Sequence, residues 1–264
     1  MQFPETAISP CPNDTFAFFG FAEKNRAPLT YLDIEQLNLA LLEGHYDFAK
    51  GSFAIMEKIA ADYEILPAGA AIGRGVGPVF VGNIGARAAR VALPGENTTA
   101  HRLFRYWQKQ NDRFDLVVEQ MPFHRMLSAI EGRTADAAVL IHEGRFVYRQ
   151  RGLSLIEDLG AYWEKTTGAM IPLGCIYARK RLPVSLKQQF AAALRESIGQ
   201  SLSDFAARSE RYQSAILPFM LGLAQENDAA VAEAHVTTYV TDDTVELGAE
   251  ALKSIDVFRQ KCLI

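Results

Sequence analysis

The sequence predicts an α/β protein of two lobes with a ligand cleft between them. Short apolar runs alternate with helical patterns along most of the chain. A second strand–helix unit occupies the middle, and a later apolar run leads back to the first unit, so one lobe is inserted into the other. Four apolar runs end in polar segments suited to holding a ligand. These are Ser9-Pro10-Cys11-Pro12-Asn13-Asp14-Thr15, Lys50-Gly51-Ser52, Gly95-Glu96-Asn97-Thr98-Thr99 and Ile141-His142-Glu143. Open α/β sheets bind ligands outside the carboxyl ends of their strands, so four such ends point to one cleft with a histidine in it.

The elements follow in order. Residues 6–8 form a short strand, and Asn13 or Asp14 is placed to cap the helix that carries Phe16, Phe18 and Phe19. Residues 29–34 read as strand, then 35–43 as a helix with Leu37, Leu41 and Leu42 on its apolar side and Gly44 as its stop. A strand over 46–49, a helix over 52–61 and a strand over 63–67 come next. Residues 69–77 hold four glycines and Arg74, the composition of a loop, before strand resumes at 78–81. A new unit begins near Ala88. It has a strand at 90–93, a helix at 98–110, a strand at 116–118, a helix at 122–131 with Pro122 in its first turn, and a strand at 136–141. Residues 173–178 return to the first lobe. The remainder is helical, led by residues 185–208 with Leu186, Phe190, Leu194 and Ile198 at helical spacing, then 209–222, 228–239 and 244–261. The expected lobes are 1–87 plus 176–264 (larger) and 88–175 (smaller, inserted), joined by two crossover strands.

A chain of 264 residues suits two lobes better than one core. A net charge of −4 with no Lys/Arg-rich run argues against nucleic acid as a partner. No apolar run is long enough to span a membrane, and Met1-Gln2-Phe3-Pro4 does not start a secretory signal. The three cysteines, Cys11, Cys175 and Cys262, form no C-x-x-C pair and read as reduced thiols of a cytoplasmic protein. The expected partner is a small acidic molecule; no residue pattern specifies an oligomeric state.

Each candidate residue has a plainer alternative. Thr98 and Thr99 start a helix whose free N–H groups and positive dipole end suit a carboxylate, or they simply cap it. Lys50, Gly51 and Ser52 make a similar helix entrance, with Gly51 permitting close backbone approach and Ser52 donating a hydroxyl. The prolines around Cys11 hold Asn13 and Asp14 toward the cleft, or form only a turn with Cys11 as a small apolar filler. His142 is equally a proton acceptor at neutral pH or a hydrogen-bonded histidine at a strand end. Glu143 is not assigned as its partner, since neighbours in a strand point opposite ways. Arg74 either reaches a substrate carboxylate or braces its loop. His45, His101, His124 and His235 lack metal-ligand spacing; no Walker, zincin, serine-elbow or dinucleotide fingerprint occurs.

Together the segments Ser9-Pro-Cys-Pro-Asn-Asp-Thr-Phe16, Gly73-Arg-Gly-Val-Gly-Pro78, Asn97-Thr-Thr-Ala100, Leu140-Ile-His-Glu143 and Asp158-Leu-Gly-Ala-Tyr-Trp163 resemble the 1,4-dihydroxy-6-naphthoate synthase family of the futalosine route to menaquinone. The resemblance runs in order from Ser9 to about Tyr239. It implies a fold like type II periplasmic binding proteins. It implies cyclic dehypoxanthinyl futalosine as substrate, release of the sugar remnant, and no metal or organic cofactor. The family's histidine base falls on His142, and its binding segments fall on Lys50-Gly51-Ser52 and Thr98-Thr99. Gly51 stands where the family usually has leucine, and Thr241 where asparagine is expected. The alternatives are the sister chorismate dehydratase and a cytosolic anion-binding protein on the same fold.

Overall fold

The structure, a computed structural model, describes residues 3–83 and 89–264; the lobe boundary read at 87/88 and the start at Met1-Gln2 lie outside the described residues. Its strands are β1 (Thr6–Ile8), β2 (Leu29–Tyr31), β3 (Phe48–Ser52), β4 (Tyr63–Ile65), β5 (Ala71–Gly73), β6 (Val79–Asn83), β7 (Arg90–Leu93), β8 (Val117–Gln120), β9 (Ala137–Leu140), β10 (Leu153–Asp158) and β11 (Ile171–Arg179). One sheet has the order β2-β1-β3-β11-β4, with β5 also on β11, and the other β10-β6-β9-β7-β8. β1 runs parallel to β2 and β3, and β7 to β8 and β9. Two parallel triplets therefore each deliver their carboxyl ends to one side.

Helices α1 (Pro12–Asn25), α2 (Ile34–Leu42) and α3 (Thr99–Gln110) follow strands whose ends carry polar residues. Helices α4 (Met126–Glu131), α5 (Gly144–Val147) and α6 (Leu159–Thr167) complete the second layer. The carboxyl-terminal helices are α7 (Val184–Ala206), α8 (Leu217–Leu223), α9 (Ala229–Tyr239), α10 (Asp242–Val245) and α11 (Ala249–Phe258). α7 buries Phe190 against α1 and the first sheet: its ring stacks on Phe48 at 4.0 Å and lies 4.7 Å from Phe21. The predicted apolar spacing of this helix is thereby satisfied.

Several local expectations change, among them the loop read at 69–77, which contains β5, and the helix read at 244–261, which is split between α10 and α11. Residues 52–61, read as a helix, form only a 3₁₀ turn at Phe53–Ile55 followed by turns. Phe53, Ile55, Met56 and Ile59 are all buried there, so packing overrides helix propensity. The cap of α1 is Cys11, with Pro12 in the first turn; Asn13 and Asp14 lie inside the helix. Finally, β6 pairs with β9 and β10 in the second sheet, although the boundary near residue 88 places it in the first lobe. By sheet pairing the inserted unit runs from Val79 to Asp158. The alternating residues of β6 are buried on both faces, and nothing in their composition marks which sheet they join.

The chain crosses between the sheets twice, between β5 and β6 and between β10 and β11. The crossings touch at Gly77 and Gly160, where a Cβ on Gly77 would stand 2.2 Å from Gly160 Cα and 2.6 Å from its nitrogen. Arg145 ties the same place together, with Nη2 3.1 Å from Asp158 Oδ2 and Nη1 donating to the Gly77 carbonyl. Because the obstacle is backbone, Gly77→Ala is expected to destabilise the protein by about 3 kcal/mol, read as a lowered urea midpoint.

Candidate active site

A chamber of about 80 Å³ lies between the sheets, lined by the ends of β1, β3, β7 and β9 and by α9. A larger groove of about 620 Å³ adjoins it past Pro10 and Phe123. Asn13, Asp14, Lys50, Ser52, Thr98 and Thr99 line the chamber, together with His142. Most of the predicted site residues are therefore gathered in one place, from positions up to about 130 residues apart in sequence.

Gly51 and Arg74 are the exceptions, and both correct the sequence reading. Successive residues of β3 face opposite ways: Lys50 and Ser52 meet the chamber, whereas Gly51 meets the core. A Cβ on Gly51 would lie 2.5 Å from Leu41 Cδ1 and 3.1 Å from the Tyr177 ring. The glycine makes room for packing here, and a residue larger than glycine requires Leu41 to move. Arg74 points away from the chamber into an ion pair with Glu250 at 2.7 Å and a hydrogen bond to the Gly168 carbonyl at 3.0 Å. It braces its loop. Thr241 likewise belongs to a helix start, donating its N–H to Thr244 Oγ1 at 3.0 Å.

The floor of the chamber is a buried ion pair. Lys50 Nζ stands 2.8 Å from Asp14 Oδ1 and donates to the Gly69 carbonyl at 2.9 Å. Asp14 also accepts from Ser9 Oγ at 2.6 Å and Asn13 Nδ2 at 2.9 Å. With its oxygens so occupied, Asp14 acts on the chamber mainly through its charge.

Opposite lies the start of α3. Thr98 Oγ1 accepts from the His101 N–H at 3.1 Å and donates to the Gly95 carbonyl at 2.8 Å, so this side chain is a cap. Thr99 Oγ1 donates to the Leu173 carbonyl at 2.9 Å and so ties α3 to β11. Among the described residues no hydrogen bond uses the N–H groups of Thr99 or Ala100. These amides, at the positive end of a 12-residue helix, suit an anionic oxygen. Ser52 joins them: its N–H donates to Asn38 Oδ1 at 2.8 Å, and its hydroxyl accepts from Asn38 Nδ2 at 3.0 Å, leaving the hydroxyl proton for a ligand. Asn38 Nδ2 also reaches the Asn97 carbonyl at 3.0 Å across the lobes. Asn38 is fully buried on the Leu37/Leu41 side of α2, a brace that sequence reading missed.

His142 sits just past β9 with φ 52°, a left-handed backbone that few residues other than glycine and asparagine adopt easily. Its Nδ1 lies 3.0 Å from Cys11 Sγ, and the Phe123 ring meets its edge at 4.9 Å. Cys11, to which sequence reading gave no role beyond a possible filler, is thus its neighbour at Nδ1. Glu143 is not: its Oε1 accepts from the Gln225 N–H at 3.3 Å. Burial pushes the Cys11 thiol well above its usual range, with Glu143 and Asp14 adding, so it is a neutral thiol. Burial lowers the His142 pKa to about 4, Asp14 opposing and Lys50 adding. His142 is therefore neutral at pH 7. The Nδ1–Sγ contact accommodates either neutral tautomer; in the one with Nδ1–H directed at sulfur, Nε2 carries the free lone pair, and among the described residues Nε2 has no hydrogen-bond partner. Asp14 would stabilise an imidazolium formed there.

His235 forms the adjoining wall, its ring stacked on that of His142 at 6.3 Å and 24°. Sequence reading noted that it lacks metal-ligand spacing and that His235-Val-Thr-Thr-Tyr-Val240 resembles the family, and gave it no role. Its one available signal was Tyr239, four residues on and so on the same helix face; their rings are 4.4 Å apart. Among the described residues no cluster of His, Cys, Asp and Glu is placed to hold a metal ion.

A family model described as menaquinone biosynthesis matches residues 4–263. A protein of Streptomyces coelicolor named 1,4-dihydroxy-6-naphthoate synthase is 36% identical, covering 95% of this chain and 89% of that one. Its namesake from Thermus thermophilus is 34% identical, covering 97% and 92%. Among solved structures, a protein from Archaeoglobus fulgidus superposes with a TM-score of 0.85 at 28% identity, covering 97% of this chain and 96% of that one. The alkanesulfonate-binding protein SsuA from Xanthomonas axonopodis pv. citri gives 0.68 at 14% identity, covering 98% and 93%. The second likeness establishes a periplasmic-binding-protein-like fold.

Proposed function

This chain belongs to the 1,4-dihydroxy-6-naphthoate synthase family and is an enzyme of menaquinone biosynthesis; from that premise we propose that it is a lyase acting on cyclic dehypoxanthinyl futalosine. The products are 1,4-dihydroxy-6-naphthoate and the sugar remnant. The observation that carries this reading is His142: a neutral imidazole whose Nδ1 meets Cys11 and whose Nε2 has no hydrogen-bond partner among the described residues, lining a chamber beside an anion-suited helix start; the reading takes the tautomer with Nδ1–H toward sulfur.

His142 Nε2 takes a proton from a ring carbon of the substrate. The C–H electron pair enters the ring system as the bond that opens the attached sugar ring breaks, and the departing oxygen keeps that bond's pair. The bond that still joins the remnant to the ring then breaks, its electron pair leaving with the remnant, which takes up the proton held on His142 as the naphthoate becomes aromatic. The substrate carboxylate sits at Ser52 Oγ and the amides of Thr99 and Ala100, with Thr98 and Thr99 holding that turn in place. Asn13, Asp14 and Lys50 form the polar floor. No metal or organic cofactor enters this scheme.

The chamber is smaller than the roughly 300–1,000 Å³ usual for small-molecule sites, so binding parts the lobes at the Gly77/Gly160 crossing and closure excludes water. The described helices include none long and apolar enough to cross a membrane. Cys11, Cys175 and Cys262 are all free, which fits a reducing, cytoplasmic setting.

The test is to incubate the purified protein separately with cyclic dehypoxanthinyl futalosine and with chorismate, and to follow both by mass spectrometry. We expect 1,4-dihydroxy-6-naphthoate from the first and unchanged chorismate from the second. Conversion of chorismate alone would make the chain a dehydratase. Tight binding with no conversion of either would make it a binding protein.

A further inference from the structure

The chamber holds a second imidazole for which folding provides no partner. His235 is 1% exposed, and among the described residues neither Nδ1 nor Nε2 makes a hydrogen bond. Buried ring nitrogens are nearly always paired, and an exception beside a chamber calls for an explanation. The neighbours of His235 are rings: His142 at 6.3 Å, Tyr239 at 4.4 Å and Phe146 at 6.0 Å. None of them makes a hydrogen bond to it, and a phenyl ring of similar shape would pack there equally well. The side chain also lines the chamber that His142 lines.

We propose that His235 is a substrate-contacting catalytic residue, whose ring N–H donates to a hydroxyl or carbonyl oxygen of the substrate next to the carbon that His142 deprotonates. The assignment rests on the lyase reading above. Burial, with His142 adding, holds the His235 pKa well below its ordinary value, so the ring is neutral. A neutral imidazole offers one donor and one acceptor, which matches a hydroxyl or a polarised carbonyl rather than a carboxylate. The carboxylate already has the amides at the start of α3. As His142 withdraws the proton, negative charge grows on the neighbouring oxygen. A preset, buried N–H holds that charge more strongly than it holds the ground state.

The test compares wild type, His235→Phe and His235→Gln for conversion of cyclic dehypoxanthinyl futalosine and for thermal stability. Phenylalanine keeps the ring packing and removes both nitrogens. We expect kcat to fall about 100-fold with little change in KM, while the melting temperature holds or rises because two unpaired polar atoms are gone. Glutamine keeps a donor and an acceptor and is expected to recover part of the loss. A His235→Phe enzyme with wild-type kcat overturns the proposal. If His235→Phe does not fold, His235→Gln is set against His235→Met, and equal kcat in those two overturns it. No conversion by wild type removes the lyase reading, and this inference with it.

Discussion

Replacing His142 by asparagine lowers turnover of cyclic dehypoxanthinyl futalosine by about 100-fold or more, while the substrate still binds. Asparagine is the informative substitute because position 142 has φ 52°, which asparagine tolerates better than alanine or leucine. A loss in His142→Asn therefore reports the missing base rather than a strained backbone. Stopped-flow or single-turnover mass spectrometry separates the chemical step from binding. Turnover within about tenfold of wild type would exclude His142 as the base.

The pH profile sharpens the same expectation. An ordinary histidine base fails as pH falls through roughly 6.5. His142 is buried, and its folded pKa is lowered to about 4. Its neutral, proton-accepting form therefore persists through pH 6 and 5, and kcat/KM declines only toward pH 4. Histidine burial works against the fold over the same range. The unfolded chain takes up protons at His142 and His235 below about pH 6.5 and the folded chain does not, so stability drops as pH falls from there. Activity is best read above the pH at which unfolding begins. A decline centred near pH 6.5 in protein shown to be folded would contradict the buried-base geometry.

Much of this site was legible in sequence because polar residues after apolar runs are a local pattern. Lys50 and Ser52 close β3, Thr98 and Thr99 come after β7 and His142 after β9, and the parallel pairing of β1 with β3 and of β7 with β9 brings them together. What escaped depends on contacts that no local pattern encodes. Cys11 meets His142 across 131 positions, and Asn38 reaches Ser52 and Asn97 from the buried side of α2. Arg74 looked like a substrate ligand because a cation in a glycine-rich loop suits one; Glu250, far along the chain, claims it. The lobe boundary moved for the same reason, since hydrogen bonding and not composition assigns β6 to its sheet.

Lys50 and Asp14 carry the second large effect, and they connect stability to the base. Both side chains are 5% exposed and stand 2.8 Å apart. Removing one partner strands the other charge in a poorly solvated place, which typically costs about 3–5 kcal/mol. Lys50→Met is expected near the lower end, because Ser9 and Asn13 still donate to Asp14. Asp14→Asn leaves the ammonium with neutral acceptors only, the Gly69 carbonyl and an amide oxygen, and is expected to cost at least as much. The double variant should lose clearly less than the sum of the two, since neither charge is then left alone. Guanidinium unfolding of the four proteins measures this, and simple additivity would mean that the pair contributes no coupling. Where the variants fold, they also shift the base in opposite directions. Lys50 lowers and Asp14 raises the His142 pKa, so Lys50→Met moves the acidic limb of kcat/KM upward from about 4 and Asp14→Asn moves it down. Limbs that stay put in both variants would mean that the group titrating in the profile is not the imidazole beside this pair.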